Sequence, residues 1–100
     1  MGSKLSPRDQ ALYERCDEIL FRVWDPVGIA DFPEARDEYY SYLPQVWRMV
    51  RDGAPADEVV RYLESIVTER MGLQSNEQAS RAAVDALSQA RAEIWASIPG

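Results

Sequence analysis

The sequence predicts an all-α protein of about four amphipathic helices in a small antiparallel bundle. Two observations carry this. Apolar residues recur three and four positions apart in four successive stretches, which puts them on one face of a helix. Between the stretches stand proline, glycine and capping residues, in the places where helices start and stop. A third observation excludes strands. The longest apolar–polar alternation, Tyr40-Ser41-Tyr42-Leu43, breaks at Pro44.

The first helix opens at Ser6-Pro7-Arg8-Asp9. Ser6 can cap, Pro7 suits the first helical position, and Asp9 favours the positive end of the helix dipole. Its apolar stripe reads Leu12, Cys16, Ile19, Leu20 and Val23. Asp25-Pro26 ends it, because the residue before a proline is pushed to extended backbone. Residues 25–32 then read as a compact turn, with Gly28 free to take a positive φ and Val27, Ile29 and Phe32 as apolar anchors. The second stripe is Tyr39, Leu43, Val46, Trp47 and Val50, and it runs through Pro44. A proline inside a straight helix costs about 3 kcal/mol. The expectation is therefore a helix over 34–52 that is kinked, or two shorter helices meeting near Leu43. Gly53 closes it. Pro55 opens the third helix, with stripe Val59, Leu63, Ile66, Val67 and Met71, and Gly72 ends it. Ser75 and Gln78 have capping-box spacing. The last helix carries Ala79, Ala83, Leu87, Ala90 and Ile94. Connections this short favour antiparallel neighbours. Residues 7–98 form one domain behind a disordered N-terminus, 1–6.

The 100 residues carry 11 basic and 17 acidic side chains, a net charge of −6. A chain that neutralises nucleic-acid phosphates presents a basic stripe. Here arginines such as Arg15 stand singly among carboxylates, so no nucleic-acid partner is expected. Arg15, Arg22 and Arg36 read as surface ion pairs. No apolar run approaches the ~20 residues of a membrane span. The lone cysteine, Cys16, falls on the apolar stripe and reads as a core residue in a reducing, cytoplasmic setting. With no histidine, no glycine-rich phosphate loop and no paired cysteines, neither catalytic, cofactor nor metal chemistry is expected.

The densest cluster of unusual residues follows the first helix and runs from Trp24 and Asp25 to Tyr42. Glu34, Asp37 and Glu38 are spaced to share a helix face. They can serve the dipole and solvation of a helix start, or a partner. Trp24, Phe32, Tyr39 and Trp47 read as core. Tyr40 and Tyr42 read either as the rim of that core or as contacts of an interface, since tyrosine buries much area with few rotatable bonds. The candidate partner-binding set is Asp31, Glu34, Asp37, Glu38, Tyr40 and Tyr42. The expected function is a non-catalytic protein-interaction domain, for example an immunity- or antitoxin-like protein covering a basic surface. A small structural or regulatory homodimer is the second reading, and a small-ligand binder or enzyme the third.

The string Trp24-Asp25-Pro26-Val27-Gly28-Ile29 resembles a turn of the YugE-like domains of unknown function, a family of small bacterial helical proteins. Ala35-Arg36-Asp37-Glu38-Tyr39 with Tyr42-Leu43-Pro44, and Glu69-Arg70-Met71-Gly72-Leu73, look like its continuation. The resemblance spans roughly residues 10–73 and implies a helical fold in a bacterial cytoplasm, and no reaction.

Overall fold

A computed structural model describes residues 5–25, 28 and 39–99. They form four helices, and no strand occurs among them. Helix α1 spans Pro7–Ile19 and continues into a π-helical turn, Leu20–Trp24. Helix α2 is Leu43–Arg51, helix α3 is Ala56–Ser65 with its own π-helical turn Ile66–Arg70, and helix α4 is Glu77–Ser97.

Local chemistry explains the ends. At α1 the Asp9 N–H donates to the Ser6 hydroxyl oxygen at 3.1 Å, and Pro7 occupies the first turn. The other end of α1 departs from the predicted register. The Asp25 N–H donates to the Leu20 carbonyl at 3.0 Å, a bond closing one residue wider than the α-helical ladder. Along this turn Phe21 and Trp24 are buried, 2% exposed each, and Val23 is 42% exposed. Asp25 itself is not extended. It is left-handed, at φ 33° and ψ 58°, a conformation that aspartate tolerates better than most residues.

Pro44 lies in the first turn of α2, where its missing N–H has no helical partner to lose. The chain is thus broken just before this helix rather than bent within it: Tyr39 to Tyr42 form a turn. The expected helical start at residue 34, and the anchors Val27, Ile29 and Phe32, lie outside the described residues. Gly53, at φ 78°, ends α2. Its N–H donates to the Val50 carbonyl and that of Ala54 to the Met49 carbonyl, the two bonds of a Schellman cap. In α4 the cap is Asn76, whose side chain accepts from the Ala79 N–H at 3.2 Å. Ser75 takes no part in a capping box. Its hydroxyl donates instead to Glu64 on α3.

The helices alternate in direction. The start of α1 is joined to the middle of α2, through Trp47 Nε1 donating to the Asp9 carbonyl at 3.2 Å. Arg8 stacks on Trp95 near the end of α4. At the opposite end Trp24 meets Tyr39. One core runs through all four helices. It includes Leu12, Cys16, Trp24, Val46, Trp47, Leu63, Val67, Leu87 and Ile94. Trp24 and Trp47 thus share a core, as the sequence reading of both as core residues expects. Ser80 was not on the predicted stripe, yet it is fully buried and donates to Glu64 Oε2 at 2.6 Å, tying α4 to α3. Of the arginines read as surface ion pairs, Arg15 meets Glu93 at 3.6 Å and Arg22 meets Glu18.

Candidate functional site

The described part of the predicted set lies at the end of the bundle where α1 stops and α2 starts. Tyr39 organises it. Its buried ring packs on Trp24 with centroids 5.6 Å apart, and its hydroxyl donates to Asp25 Oδ1 at 2.7 Å. Its carbonyl accepts from the Tyr42 N–H at 3.1 Å, and the Tyr42 carbonyl accepts in turn from the Val46 N–H at 3.2 Å. The turn is therefore tied to the core on one side and to α2 on the other.

That anchoring decides the fate of the two predicted tyrosines. Tyr40 follows the buried Tyr39 and faces solvent, 47% exposed. Tyr42 is half-buried and packs against the core edge. The two readings of these residues thus separate: Tyr42 is rim and Tyr40 is available. Asp31, Glu34, Asp37 and Glu38 lie outside the described residues. They belong to the chain segment whose two ends are linked by the Tyr39–Asp25 hydrogen bond.

The fold adds residues that no local signal marks. Leu73, on the α3–α4 connection, is 41% exposed. It borders a cleft of about 130 Å³ lined also by Trp24, Asp25, Val67, Gln74 and Asn76. Ligand pockets commonly measure about 300–1,000 Å³; this cleft suits a single side chain rather than a metabolite. Tyr62 on α3 is half-buried, and burial pushes its phenol up, with Tyr42 adding to the shift and Arg70 and Arg48 opposing it. Asp25 was the nearest of these to being read from sequence, because it adjoins Pro26 and Trp24. Its role as acceptor for Tyr39 depends on a contact 14 positions away.

Among the described residues no group of three or more histidine, cysteine, aspartate or glutamate side chains is placed to hold a metal. No helix among them is long and apolar enough to cross a membrane. The chain matches no protein-family model, no curated protein and no solved structure.

Proposed function

We propose that the protein is a non-catalytic interaction module that binds a protein partner through its tyrosine-bearing end. The observation that carries this reading is Tyr40. It is a large aromatic side chain held outward by a turn whose neighbours are already fixed, so little is left to order on binding. Exposed Leu73 and the small cleft beside Asp25 lie on the same end of the bundle. The carboxylates Asp31, Glu34, Asp37 and Glu38, in the segment between Asp25 and Tyr39, favour a basic partner surface. An immunity- or antitoxin-like protein in a bacterial cytoplasm is the concrete form we assign, in keeping with the buried free thiol of Cys16 and the YugE-like turn.

The test is affinity capture of the partner from the native cell, followed by calorimetry on variants. Tyr40→Ala and Glu38→Lys are expected to weaken binding about tenfold or more, and Tyr40→Ala to melt within about 2 °C of wild type, as changes of an exposed side chain do. Wild-type affinity in both variants would refute the reading. So would a chain that light scattering shows to be a stable homodimer sealed by Tyr40.

A further inference from the structure

We draw no further inference here: the strongest candidate, the cleft of about 220 Å³ floored by Val50, Val59, Val84 and Leu87 at the arginine-bearing end of the bundle, where α1 begins and α2 and α4 end, carries nothing, because Asp52 and the Arg51 carbonyl already engage Arg51 and Arg91 and nothing in the structure shows what covers its apolar floor.

Discussion

Cys16 is fully buried, and burial pushes its thiol up from 9.0 to about 12, with Asp17 adding to the effect. The folded protein therefore keeps a proton that the unfolded chain loses above pH 9. The stability this confers is complete below pH 9 and is lost as pH rises from 9 toward 12, at up to about 1.4 kcal/mol per pH unit. Urea unfolding at pH 8 and pH 10.5 should show wild type losing about 2 kcal/mol more than Cys16→Ala between the two conditions. Equal losses would mean that the thiol ionises freely in the fold. Gly28 makes the second residue-scale case. Its φ is 79°, and a Cβ built there would meet nothing within 4 Å. Any penalty for a side chain is thus backbone strain alone. Gly28→Val is expected to destabilise by at least about 1 kcal/mol, seen as a fall in Tm of about 4–8 °C per kcal/mol.

At the scale of the element, the π-helical turn at the end of α1 changes which side chains are core. A continuous α-helix would bury Val23. In the turn observed, Phe21 and Trp24 are buried and Val23 is exposed. Phe21→Ala should therefore cost about 3–5 kcal/mol, and Val23→Lys less than about 0.5 kcal/mol, both measured by denaturant unfolding. The opposite ranking would restore the α-helical register. This turn also marks where sequence reading stops. The stripes Leu12–Leu20, Leu43–Val50 and Val59–Val67 were legible because a steady period brings the same face inward each time. A single wider turn leaves no trace in composition, so Val23 was assigned inward. Ser80 was missed for a different reason. It lies three, four and seven positions before Ala83, Val84 and Leu87, but a hydroxyl counts as polar until its acceptor is known, and Glu64 is 16 positions away. Ser80→Ala would leave that carboxylate one donor short, and is expected to cost about 1.5–3 kcal/mol. Of the candidate site, Tyr40 and Tyr42 were legible as a pair. Their division into exposed and half-buried required Tyr39 to find Asp25.

The whole molecule has two chemically different ends joined by one core. Helix α4 reaches from the Asn76 cap near Trp24 to Trp95 beside Arg8, and it packs on α1, α2 and α3. Both ends therefore stand on the same set of buried side chains, and neither has a core of its own. A domain of this size with a single core is expected to unfold as one unit. The three tryptophans make that testable, because Trp24 lies at the tyrosine end and Trp47 and Trp95 at the arginine end. In variants keeping one tryptophan each, with phenylalanine at the others, fluorescence and far-ultraviolet circular dichroism should give coincident urea transitions within each variant. Absolute midpoints will differ among the variants, because Trp24 and Trp47 are buried and each replacement removes core contacts. Coincidence of the two probes is the criterion. A Trp95 fluorescence transition that precedes loss of helix would show the arginine end opening separately, and a Trp24 transition that does so would show the same of the tyrosine end.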